Sequence, residues 1–233
     1  MILSPIEPER LAAVLQAYSA GLDRTALTAF SRIADPRKAQ RAHGAEAARH
    51  HHVAIQLAAS FGMEILPGSP ALDFGWNGRA LRGATEAYVI LHEIAHFQIA
   101  PPERQGLIDF GLGAGPETGD RTAADAQARV FGLAREAEEA MASLLGILWE
   151  VALGQPGLAS FLDQNWLEGA GRPSASAHFI AVLDRLRAAS LVDAEGRPQR
   201  RCVLEAPIAA QEPVAPSTLP AGAPSQATAS LKS

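Results

Sequence analysis

His92, Glu93 and His96 are the residues of this chain whose types and spacing can do chemistry. On a helix, histidines at i and i+4 share one face a turn apart, where two imidazoles can hold one divalent metal. The glutamate between them lies within reach of a water on that metal, the arrangement of a His-Glu-x-x-His site. Ala87-Tyr88-Val89-Ile90-Leu91 leads into the motif, Thr85 and Glu86 suit a first helical turn, and Pro101-Pro102 stop the helix. Two histidines rarely hold a catalytic metal alone, so a third protein ligand is expected. The short metzincin continuation would bring a glycine and a third histidine, but Phe97-Gln98-Ile99-Ala100 follows instead. The ligand must come from elsewhere. The helical stretch expected from Thr122 to Leu153 offers Glu136, Glu138 and Glu139.

Helical phase orders these three. At about 100° per residue, Leu133, Ala137, Met141, Leu144, Leu148 and Val151 form an apolar face. Opposite runs a row of mostly small residues, Ala128, Gly132, Glu139, Ala142 and Gly146, which lets another helix approach closely. Glu139 is the carboxylate in that row and the first choice, and Glu136 is the second. The competing reading is a solvated acidic turn, Glu136, Glu138 and Glu139 beside Arg135, with no metal role.

The elements that must position these groups read as mainly α, an α+β pattern with a few short strands, in a single metallo-domain of packed helices. Helices are expected over Glu9–Ala20, Thr25–Ala34, Ala45–Phe61, Thr122–Leu153 and Ser174–Leu191, besides the metal helix. Thr122 and Asp125 have capping-box-like spacing for the long one. Short strands are expected at Glu64–Leu66 and Ala71–Phe74 around the turn Pro67-Gly68-Ser69-Pro70. Residues 1–63 read as an N-terminal helical extension and 64–200 as the metal-binding catalytic domain. Residues 205–233, rich in Pro and Ala, read as a disordered tail.

Composition narrows the classes. The 233 residues carry a formal charge of −5 with no strong basic stripe, which argues against nucleic acid as partner. No apolar run approaches a membrane span and no signal peptide is legible, so a cytoplasmic protein is expected. The single cysteine, Cys202, excludes an internal disulfide and a cysteine-rich zinc site, and reads as inert. His50-His51-His52 cannot all face one ion on a helix and reads as a surface run or helix face. Gly111-x-Gly113-x-Gly115 lacks a P-loop lysine and reads as a flexible loop beside the site. Asp109 can orient a ligand histidine or make a turn, and Arg104 can pair with Asp109 or Glu103.

Leu91-His92-Glu93-Ile94-Ala95-His96-Phe97-Gln98-Ile99-Ala100, followed by Arg104 and Asp109-Phe110-Gly111, resembles the elongation factor P hydroxylase family. That family has Leu-His-Glu-Ile-Ser-His-Trp-x-Ile-Ala, an arginine and Asp-Phe-Gly. Trp149 to Pro156 is similar to its Val-Ala-x-Gly-x-Pro stretch, and Asn165-Trp166-Leu167-Glu168-Gly169 to its Asn-Leu-Glu-Gly. The similarity spans roughly Leu72 to Gly169. It implies an iron-dependent monooxygenase acting on a modified lysine of the translation factor, without 2-oxoglutarate. His92, His96 and Glu139 would then be the Fe(II) ligands and Glu93 would manage protons. The family's Tyr-Trp-Tyr after Asp-Phe-Gly is replaced by Leu112-Gly113-Ala114, so the surroundings of the site differ. The family's Val-Lys-Pro-Gln after the glutamate is replaced by Ala140-Met141-Ala142-Ser143. Two other functions fit the motif: a zinc metallopeptidase with Glu93 as general base, and a metal-bound interaction module without catalysis.

Overall fold

The computed structural model describes residues 6–66, 75–82, 85–115 and 118–202. The expected strand Ala71–Phe74 and the tail 205–233 lie outside them. The fold is mainly helical, as the sequence predicts. In chain order it runs α1 (Pro8–Ser19), α2 (Arg24–Ile33), α3 (Gly44–Ser60), β1 (Glu64–Leu66), β2 (Ala80–Arg82), α4 (Ala87–Ile99), α5 (Pro102–Gln105), α6 (Arg121–Ala126), α7 (Gly132–Ala152), α8 (Gly157–Asp163) and α9 (Pro173–Ala188). The expected strand β1 pairs in parallel with β2, Ile65 opposite Leu81, and β2 was not expected from the sequence. The short helix α8 was likewise not foreseen.

α4 is the axis of the molecule. Ile90, Leu91, Ile94 and Ala95 are fully buried, as a helix apolar on most sides must be. α3 covers one flank with Ala54, Leu57 and Ala58, and α7 covers another with Met141, Ala142 and Leu145. A second part of the same core is aromatic. Tyr18 of α1 packs on Phe30 of α2, Phe161 of α8 and Phe179 of α9, with ring centroids 5.1 to 6.2 Å apart. Residues of the 1–63 segment therefore share one core with the metal helix. No helix among the described residues is long and apolar enough to cross a membrane.

The expected helix Thr122–Leu153 is broken in two. The N–H groups of Arg129 and Val130 donate to the carbonyl of Gly111, at 2.7 and 3.2 Å, instead of to carbonyls one turn back. Gly132 then turns the chain at φ 54° into α7. The expected Thr122–Asp125 cap is also corrected. Asp120 caps α6 by accepting from Ala123 N, while Asp125 accepts from Ala114 N and ties the preceding loop. Leu133, expected on the apolar face, is 73% exposed because the first turn of α7 precedes the packed part of the helix.

Candidate metal centre

α4 begins after Glu86, and His92 and His96 follow on one face of it. Their imidazoles meet edge to face, with Nε2 atoms 3.1 Å apart. α7 crosses this face along its small-residue row, as the helical phase predicts. A Cβ on Gly146 would lie 3.2 Å from His92 Cα, so glycine is what allows the two helices to sit this close. Ala142 is fully buried in the same row, and one turn before it Glu139 projects towards the histidines.

Glu139 Oε2 stands 3.3 Å from His96 Nε2 and 4.0 Å from His92 Nε2. These three residues can hold a metal ion, and they are the only such group of three or more among the described residues. The donor set fits one. Bonds of about 2.1 Å to a common ion place neighbouring donors roughly 3.0 to 3.5 Å apart, close to two of the three separations. Arg135, one turn earlier on α7, flanks the other carboxylate oxygen at 4.0 Å and is held by donating to Ala114 O.

Electrostatics put His92 and Glu139 in their ligating forms, while His96 must give up a proton to a metal. Burial, and then the charge of His96, push the His92 pKa down to about 3, so its imidazole is neutral. Burial also opposes the charged form of His96, but the hydrogen bond and charge of Glu139 outweigh it, helped by Glu93 and Glu138, and its pKa is raised. Burial would raise Glu139, yet its hydrogen bond to His96 and the charges of His96, His92 and Arg135 bring it down to about 2. A neutral imidazole and an ionised carboxylate are the ligating forms.

The other sequence-predicted residues separate by position. Glu93 is half-buried on α4 between the ligands. Glu138 turns away from the triad and pairs with Arg104 at 2.7 Å. Glu136 is not among the residues that converge there. Arg104 thus has Glu138 as its partner, correcting the expected Asp109 or Glu103; the pairing spans two helices and leaves no trace in local sequence. Asp109 accepts from Thr118 Oγ1, and no hydrogen bond joins it to either histidine among the described residues. Burial raises its pKa, against the hydrogen bond from Thr118 and the charge of His96. His50 is buried on α3 and joins no metal cluster among the described residues. Burial pushes the Cys202 thiol up, in keeping with an unreactive thiol.

His92 and Glu139 open onto a cavity of about 670 Å³, walled also by Ser143, Trp166, Arg172 and His178. Sequence reasoning did not foresee this wall. Its signal was the Asn165–Gly169 segment, where Asn165 takes φ 62° and turns the chain across the cleft. Ser143 accepts from Trp166 Nε1 at 2.7 Å and donates to Gln164, joining that segment to α7. No protein-family model, curated protein or solved structure matches the chain.

Proposed function

We propose that the chain is a metal-dependent monooxygenase of the elongation factor P hydroxylase type, which hydroxylates a modified lysine side chain on a protein substrate. The observation that carries this reading is the convergence of two imidazoles and one carboxylate at the head of an open cleft. His92, His96 and Glu139 would hold Fe(II). Iron with this donor set and open positions supplies oxygen activation. The resemblance of the Leu91–Ala100 and Asp109–Gly111 segments to that family supplies the substrate class.

The chain's own residues set the conditions. The low pKa of His92 leaves a lone pair free for the metal, and the hydrogen bond and charge of His96, with smaller help from His92 and Arg135, keep Glu139 ionised. Glu93, held between the two ligands, would take or return the proton of the reaction. The cleft admits a long side chain while Trp166 shields one wall.

A zinc peptidase would use the same ligands, with Glu93 as base. Such enzymes commonly align an extended substrate along a sheet edge. None of the described cleft walls comes from β1 or β2, which favours the oxygenase reading. The test is purification without oxygen, metal analysis, and assay with the lysine-modified translation factor and with peptides. Iron and substrate-dependent oxygen uptake are expected. Zinc with peptide cleavage that stops in Glu93→Gln would replace this reading with the peptidase.

A further inference from the structure

We propose that the buried pair Arg104–Glu138 is a positioning device for the metal site, acting on His96 through the ring of Phe110. The inference rests on the reading of His92, His96 and Glu139 as ligands.

A ligating histidine needs its ring plane fixed, commonly by a hydrogen bond to the nitrogen that does not bind metal. His96 Nδ1 is buried and has no such partner among the described residues. What meets the His96 imidazole is a ring: Phe110 lies nearly parallel to it, centroids 5.7 Å apart and planes 17° apart. Phe110 is itself backed by Trp76, stacked at 5.5 Å and 6°, and is 1% exposed. The order is Trp76, Phe110, His96, so the position of Phe110 decides the tilt of the imidazole.

That position is held against a backbone cost. Asp109, Phe110 and Gly111 are consecutive left-handed residues, with φ of 44°, 54° and 72°. Two of the three carry a side chain, and such a turn persists only where its surroundings over-determine it. Asp109 N donates to Trp76 O, and Arg129 N donates to Gly111 O. Arg104 supplies the third tie: Nη1 donates to Phe110 O at 2.8 Å, while Nη2 meets Glu138 Oε2 at 2.7 Å. The guanidinium fork thus joins the turn to α7 at the residue before Glu139. The side chains of Arg104 and Glu138 are 12% and 3% exposed, so Glu138 is buried and Arg104 largely shielded. One segment of α7 thereby supplies a ligand and the anchor that orients another ligand. Lysine could keep the charge pairing but not the two-pronged geometry.

The experiment uses the full chain and Co(II) alone as probe, whose visible absorption reports ligand geometry independently of turnover. Arg104→Lys keeps the buried pair charged and removes the fork, and Phe110→Leu removes the stacked ring and keeps the pair. Both are expected to melt cooperatively, to bind Co(II) about tenfold to a hundredfold more weakly, and to shift its visible bands. Folded Arg104→Lys or Phe110→Leu with wild-type affinity and spectrum overturns the proposal. If one variant does not fold, the other decides by the same criteria. A wild-type chain that does not bind Co(II) overturns the metal-site reading itself, and the proposal with it.

Discussion

At the scale of residues, the division of labour between Glu93 and Glu139 separates the possible functions. Glu139 reaches both histidines and its pKa is brought down to about 2, whereas Glu93 does not belong to the converging donor set. Glu93→Gln is therefore expected to retain metal and lose turnover by about 100-fold or more, the range of general acid–base roles. Metal content and rate measured on the same preparation check this; unchanged turnover would remove Glu93 from the chemistry, and metal without turnover in the wild type would leave a metal-bound module without catalysis. Helical phase ranked Glu139 first, ahead of Glu136, because the small residues around it had to face a neighbour, and the structure brings it to both histidines. The partner of Arg104 was not legible in this way. Glu138 sits beside Glu139 in sequence and differs only by the 100° that turns it towards the α4–α5 corner.

At the scale of elements, the site depends on how closely α7 crosses α4. Gly146 meets the backbone of His92, which cannot swing aside like a side-chain tip. Gly146→Leu is expected to cost about 1–3 kcal/mol of stability through overpacking. It is also expected to weaken metal binding, because Glu139 moves with α7. Urea unfolding and metal titration of the variant measure both; a Gly146→Leu chain as stable and as tight-binding as wild type would mean that the crossing is not close-packed. Sequence periodicity located α1 to α4 and α9 to within about a turn, since each buries apolar residues of its own, and β1 was placed by its flanking turn signals although none of its residues is buried. Periodicity missed the break between α6 and α7. The cause is a loop that arrives from elsewhere: the carbonyl of Gly111 captures two N–H groups that a continuous helix would have used. β2 was missed for a related reason, since its three residues gain meaning only from parallel pairing with β1.

At the scale of the whole molecule, α1 to α3 are part of what holds α4 in place. Ala54, Leu57 and Ala58 pack on α4, and Tyr18 and Phe30 complete the aromatic cluster with α8 and α9. A chain lacking residues 1–61 is expected to lose its cooperative thermal transition; a sharp transition in circular dichroism would show residues 62–202 to be self-sufficient. A second global property is pH dependence. Glu150 on α7 is 2% exposed, with Arg41 at 3.5 Å and Ser160 nearby, and Arg41 also stacks over Tyr88. Burial pushes its pKa from 4.5 up to about 7. The folded protein then binds this proton more tightly than the unfolded chain. The contribution is full below the unfolded pKa and is lost as pH rises through the folded one, an effect on the order of 3 kcal/mol. Between about pH 4.5 and 7.5, wild type should lose stability that Glu150→Gln keeps, with little further change above that. Parallel stability–pH curves for the two would show that Glu150 ionises at no cost.

We propose that His92, His96 and Glu139 together hold one Fe(II) ion. Titration of Fe(II) into the full chain without oxygen, beside Glu139→Ala, tests it most directly. The expected result is saturation at one ion per chain in the wild type, with affinity reduced at least about tenfold in Glu139→Ala. Absence of saturable binding, or equal affinity in the two proteins, would contradict it.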